Sequence, residues 1–107
     1  MEVFGKLVRD KIPEIVAEEG KHADIEIIED TERFKEVLCT KLIEEAREVE
    51  QAKDRQELIK EIADLREVVD AIIKVHGLDE TELQIIQNER REKRGGFEKK
   101  VFLKTIE

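Results

Sequence analysis

A chain of 107 residues with a formal charge of −8 has room for one hydrophobic core, and it lacks the excess positive charge that a sequence-independent grip on DNA or RNA requires. Charged residues make up 45% and aromatics only 4%, with no Trp or Tyr, so the core must be lean and built from Leu, Ile and Val, a composition that suits helices. Apolar runs are too short to span a bilayer and the start MEVFGKLVRDKIPEI has no apolar stretch of a secretory signal, so a single cytosolic domain over residues 1–107, with no membrane partner, is expected.

In KIPEIVAEEG, Pro13 suits a first helical turn and Gly20 the position just past a helix end, which predicts a short helix from about Pro13 to Glu19. ADIEII alternates weakly and reads as extended. Asp30 or Thr31 can cap a long helix running to about Lys53. Asp54 with Glu57 three residues later is a capping box that opens the next helix, which Gly77 closes. Asp79 with Glu82 repeats the pattern and opens a last helix to about Arg94, where RGG ends it. The tail FEKKVFLKTIE is expected to form a short extended strand. There is no internal repeat, low-complexity tract or linker, and the fold class is all-α, an antiparallel helical bundle.

Two long helices joined by so short a loop should pack antiparallel, and their seams can be compared. At alternating spacings of three and four, one helix gives Leu38, Leu42, Glu45, Val49, Ala52 and the next gives Leu58, Glu61, Leu65, Val68, Ile72, Val75. Each seam has one glutamate in a slot otherwise held by apolar residues. Glu45 precedes Lys53 by eight residues and Glu61 follows it by eight, so a hairpin about Lys53 brings both to one height, about 12 Å from the turn at 1.5 Å per residue. Glu48 and Asp64 lie three residues on from each, on an adjoining face.

Four carboxylates held together repel, and removing them from water without a partner is unfavourable. Lys41, one turn before Glu45, can pair with Glu44 or Glu45, but a single lysine cannot neutralise four acids. A seam glutamate can instead fix helix register or oligomer state, which is the better account of one such residue. Two at matching height, each with a second acid one turn on, favour a divalent ion. Oxygen-only ligands without His or Cys select Mg²⁺, with Mn²⁺ as an alternative; Ca²⁺ fits less well without a loop of backbone carbonyls. Glu45, Glu48, Glu61 and Asp64 are the candidate metal ligands, and Glu44, about 100° from Glu45 around the helix, either completes the shell or faces water.

The remaining chemistry-bearing residues are more ordinary. Cys39 has apolar neighbours and reads as a core filler, and His22 and His76 lack a partner at ligand spacing and read as structural or solvent-facing. Lys6, Arg9 and Lys11 near the start, and Arg90, Arg91, Lys93 and Arg94 near the end, flank the acidic centre; basic arms around an acidic centre suit a metal-bound polyphosphate, although most charge runs are simply solvated surface. Beside the apolar seam of the second long helix runs another strip, Ile62, Val69 and Ile73, wider than one partner helix covers. It predicts a homo-oligomer, a dimer or tetramer, unless another helix of the same chain covers it.

EEAREVE contains EExxE at Glu44, Glu45 and Glu48, and EIAD contains ExxD at Glu61 and Asp64, with a short interval between. This resembles the signature of the all-α nucleoside triphosphate pyrophosphohydrolases, the MazG-like and phosphoribosyl-ATP pyrophosphatase-like group. The opening KLVRDKIPEI and closing KRGGFEKKVFL look like the ends of its small single-domain members, so the resemblance spans nearly the whole chain. It implies a Mg²⁺-dependent enzyme that splits a nucleotide between its α and β phosphates into a nucleoside monophosphate and pyrophosphate. On that reading Glu45, Glu48, Glu61 and Asp64 hold the ion, and Glu44 orients or deprotonates the attacking water, with Glu45 beside it in the catalytic set. Lys93 and Arg94 clamp phosphate oxygens, with Lys6, Arg9 and Lys11 as a second set. Without Trp or Tyr, Phe4 or Phe97 is left to stack on a base. The rivals are a non-catalytic helical assembly module, indifferent to Mg²⁺, and a nucleotide sensor that binds without cleaving.

Overall fold

The computed structural model describes residues 5–107, which contain four helices, α1 (Ile12–Glu18), α2 (Thr31–Gln51), α3 (Arg55–Val75) and α4 (Glu80–Arg94). No strand occurs among the described residues. The chain divides into two compact units, one ending at Gly77 and the other running Leu78–Glu107.

The first unit is built on a helical hairpin. Asp54 caps α3 by accepting from the Glu57 backbone N–H at 2.8 Å, and the Glu57 carboxylate reaches back to the Lys53 N–H at 3.4 Å. That is a capping box shifted by one residue at its return arm. Only Ala52, Lys53 and Asp54 separate α2 from α3, so the chain must double back. Both seams behave as their spacing predicts: Leu38 is 3% exposed and Val68 is 8% exposed, while Leu42, Val49, Ala52, Leu65, Ile72 and Val75 are half-buried. Leu38 and Val68 each lie fifteen residues from Lys53, so hairpin register puts the two most buried apolar side chains at one level.

The ends of these helices follow local chemistry. Asp30 caps α2 by accepting from the Glu32 N–H at 3.1 Å. Past α1, the Lys21 N–H reaches the Val16 carbonyl and the Gly20 N–H reaches the Ala17 carbonyl, a Schellman closure that requires the positive φ of 77° at Gly20. Gly77, at φ 62°, ends α3 in the same left-handed region. Residues 21–30, including the weakly alternating ADIEII, form no regular element, because no second strand offers them a ladder. Instead Arg33 of α2 donates to both Glu26 carboxylate oxygens, at 3.0 and 2.6 Å, and ties this segment to the helix that follows it.

In the second unit, Asp79 caps α4 through the Thr81 N–H at 3.1 Å, without the expected bond to Glu82. Gly95 closes α4, its N–H donating to the Arg91 carbonyl at 2.7 Å. The tail beyond is not a strand. Val101, Phe102, Leu103 and Ile106 are all exposed and no regular secondary structure forms there. No helix among the described residues is long and apolar enough to cross a membrane.

Candidate metal centre

The centre sits on the α2–α3 hairpin nearer its turn than its open end, where the seams place their carboxylates. Glu45 from α2 and Glu61 and Asp64 from α3 each offer a carboxylate oxygen, and the three oxygens lie within 4.8 Å of one another. Glu45 is buried, at 8% exposure, whereas Glu61 and Asp64 are half-buried, so the group opens to water on the α3 side. Glu48 does not join this close set and lies on the exposed part of α2.

Cations answer part of this negative charge. Lys41, four residues before Glu45 and three before Glu44, stands 3.4 Å from both carboxylates, and its side chain is well covered. Arg9 donates from Nη2 to Asp64 Oδ1 at 2.8 Å and brings Nη1 to 3.8 Å from Glu67. Lys6 lies 3.4 Å from Glu44. Glu61 has no ion-pair partner among the described residues. Desolvation first, and then the charges of Glu48, Asp64, Glu45 and Glu57, push its carboxyl above the usual carboxylate range. Glu48, though outside the close set, is therefore electrostatically part of the centre.

Of the two basic groups flanking the acids in sequence, the structure brings Lys6 and Arg9 to the acidic residues as ion-pair partners. Lys11 is exposed and shares with Arg9, Asp10, Ile12, Ile15 and Glu67 the lining of a depression whose two cations are matched by two acids. Lys93 and Arg94 belong to the second unit, exposed in the last turn of α4, where positive charge suits the helix end. Phe97 is 97% exposed, and Phe4 lies outside the described residues. His22 and His76 are exposed.

Two features were not legible in the sequence. Cys39, expected in the core, is exposed: Leu38 takes the seam position and the next residue is turned about 100° away around α2. The pairing of Arg9 with Asp64 spans 55 residues, and the one hint of it was Glu67, three residues on from Asp64, where a second carboxylate could share the guanidinium.

The donor set suits a hard divalent cation. All three close groups are carboxylates, and oxygens within 4.8 Å of one another are near enough for side-chain adjustment to bring them about 3 Å apart around an ion with Mg²⁺–oxygen bonds of about 2.0–2.1 Å. A group in which one carboxylate lacks a cation and resists ionisation is one that added positive charge would stabilise. No family model, curated protein or solved structure matches the chain.

Proposed function

We propose that the protein is a Mg²⁺-dependent nucleotide pyrophosphohydrolase that cleaves a nucleoside triphosphate, or a related nucleotide, between its α and β phosphates. The observation that carries this reading is the trio Glu45, Glu61 and Asp64 on facing helices, with Glu61 left without a cation. The EExxE and ExxD patterns supply the reaction class by resemblance.

Glu45, Glu61 and Asp64 would hold Mg²⁺, or Mn²⁺, with Glu48 adding negative charge from the edge. Such an ion, when bound, neutralises phosphate oxygens and acidifies a water. Glu44, which pairs with Lys6 and Lys41, is assigned on this reading to orient or deprotonate the attacking water, next to Glu45 in the catalytic set. Lys6, Arg9 and Lys11 form a cationic edge for phosphate beside the acids, and the resemblance of KRGGFEKKVFL makes Lys93 and Arg94 the other candidate phosphate ligands. Such a division leaves the acids to the ion and the bases to the substrate.

The exposed strip of α3 adds a quaternary element. Ile59, Ile62 and Val69 are 57, 40 and 39% exposed, more apolar surface than a single helix face ordinarily leaves to water, and we propose that it is covered in a homo-oligomer. A screen of standard and damaged nucleotides, with and without Mg²⁺ and with separate detection of pyrophosphate and orthophosphate, tests the activity. Pyrophosphate and a nucleoside monophosphate, released only with the ion, are expected. Binding without turnover would make the protein a sensor, and indifference to both nucleotide and ion would make it an assembly module.

A further inference from the structure

The residues preceding α1 reach the acidic centre through Arg9, and that contact differs from the other ion pairs there. Lys41 reaches Glu45 along its own helix, fixed by helical geometry. Lys6 meets Glu44, which is outside the close trio. Arg9 pairs with a member of the trio from outside the hairpin: its Nη2 stands 2.8 Å from Asp64 Oδ1, across 55 residues of sequence. The backbone there is a turn rather than a helix, with the Arg9 carbonyl accepting from the Ile12 N–H at 3.1 Å, so the side chain can swing away without breaking a helical bond.

A guanidinium on Asp64 and a divalent ion on Asp64 compete, since both draw on the negative charge of one carboxylate and, being positive, repel each other. The pair is also exposed, with side chains of Arg9 and Asp64 at 55 and 44%, so water weakens it and it yields readily to a stronger competitor. We propose that Arg9 is an internal stand-in for the cation: it holds Asp64 in the metal-free protein, is displaced when a divalent ion binds, and thereby sets the ion affinity of the centre. The inference rests on the cation site proposed above. It gives Arg9 two successive partners, Asp64 before the ion binds and, once released beside the depression it shares with Lys11, an anionic group of the substrate.

The test is a Mn²⁺ titration of the full chain without nucleotide, followed by the loss of the free-ion electron paramagnetic resonance signal. Arg9→Gln should bind Mn²⁺ several-fold more tightly than the wild type. Lys74→Gln makes the same charge change ten residues from Asp64 along α3, about 15 Å away and beyond the screening length at 0.15 M salt, and should leave the affinity unchanged. Arg9→Lys, which keeps the charge but loses the planar fork, should fall between wild type and Arg9→Gln. Equal affinity in wild type and Arg9→Gln, with Mn²⁺ binding intact in both, overturns the stand-in role while leaving the cation site standing. An equal gain in Lys74→Gln also overturns it, reducing the effect to net charge. No saturable binding in any variant overturns the cation site itself and this inference with it. Arg9 is exposed, so helical circular dichroism should be unchanged in all variants.

Discussion

The tension in this molecule is concentrated on Glu61. It occupies an apolar slot, has no ion-pair partner among the described residues, and its carboxyl is held above the usual range by desolvation and by neighbouring acids. In the metal-free protein the folded chain therefore binds a proton at Glu61 more tightly than the unfolded chain does. The ionised group opposes folding at neutral pH, and that opposition fades as pH falls through the raised folded value toward the ordinary carboxylate value. Glu61→Gln should accordingly melt higher than the wild type in chelator at pH 7, and the gap should narrow toward pH 5; a gap independent of pH would show that Glu61 does not titrate in this way. Glu26 has the opposite sign. The Arg33 hydrogen bond and charge lower its carboxyl, so its contribution is present at neutral pH and is lost as pH falls through its lowered value, and the exposure of the pair keeps it small. The two sites are separable because Arg33→Gln should remove the second effect and leave the first.

At the scale of elements, the hairpin was largely legible because its signals are local and agree with one another: seam spacing, the Asp54 cap, and glycines where φ turns positive. Leu38→Ala should cost about 2–5 kcal/mol, measured by denaturant unfolding, because Leu38 is the most buried side chain and truncation leaves a cavity. Gly77→Ala should cost about 1 kcal/mol for a different reason, since a Cβ there meets no atom within 4 Å and only the backbone conformation resists it. What the sequence concealed was non-local. A weak alternation such as ADIEII does not say whether a pairing strand exists, and a basic residue such as Arg9 does not announce which of the chain's 28 acids it will meet. The two seam glutamates were legible because helical register carries three-dimensional information; the same three-residue step brings Asp64 into the close set from α3 but leaves Glu48 exposed on α2, a difference that spacing alone does not encode. Lys93→Ala with Arg94→Ala tests whether these two cations belong to the substrate site. Both are exposed, so stability should change by no more than about 0.5 kcal/mol while nucleotide affinity falls; unchanged kinetic constants would remove them from it.

At the scale of the whole molecule, Leu38, Val68 and Glu45 are the buried residues among those described, while large apolar side chains on α3 and α4 face water. A chain so sparing of buried surface is expected to complete its core by association, and sedimentation equilibrium at micromolar concentration should show a dimer or tetramer. A monomer with intact helicity would contradict that assembly. The central claim is narrower: the trio on the hairpin is a divalent-cation site, and Glu61 is there to bind. The most direct measurement is the change in melting temperature on adding Mg²⁺, made side by side on the wild type and Glu61→Gln. A ligand bound by the folded state raises its stability by mass action, so the wild type should gain with Mg²⁺ and Glu61→Gln should gain far less, even though its metal-free form melts higher. Equal Mg²⁺-dependent shifts in the two proteins would contradict the account and return Glu61 to a purely structural role.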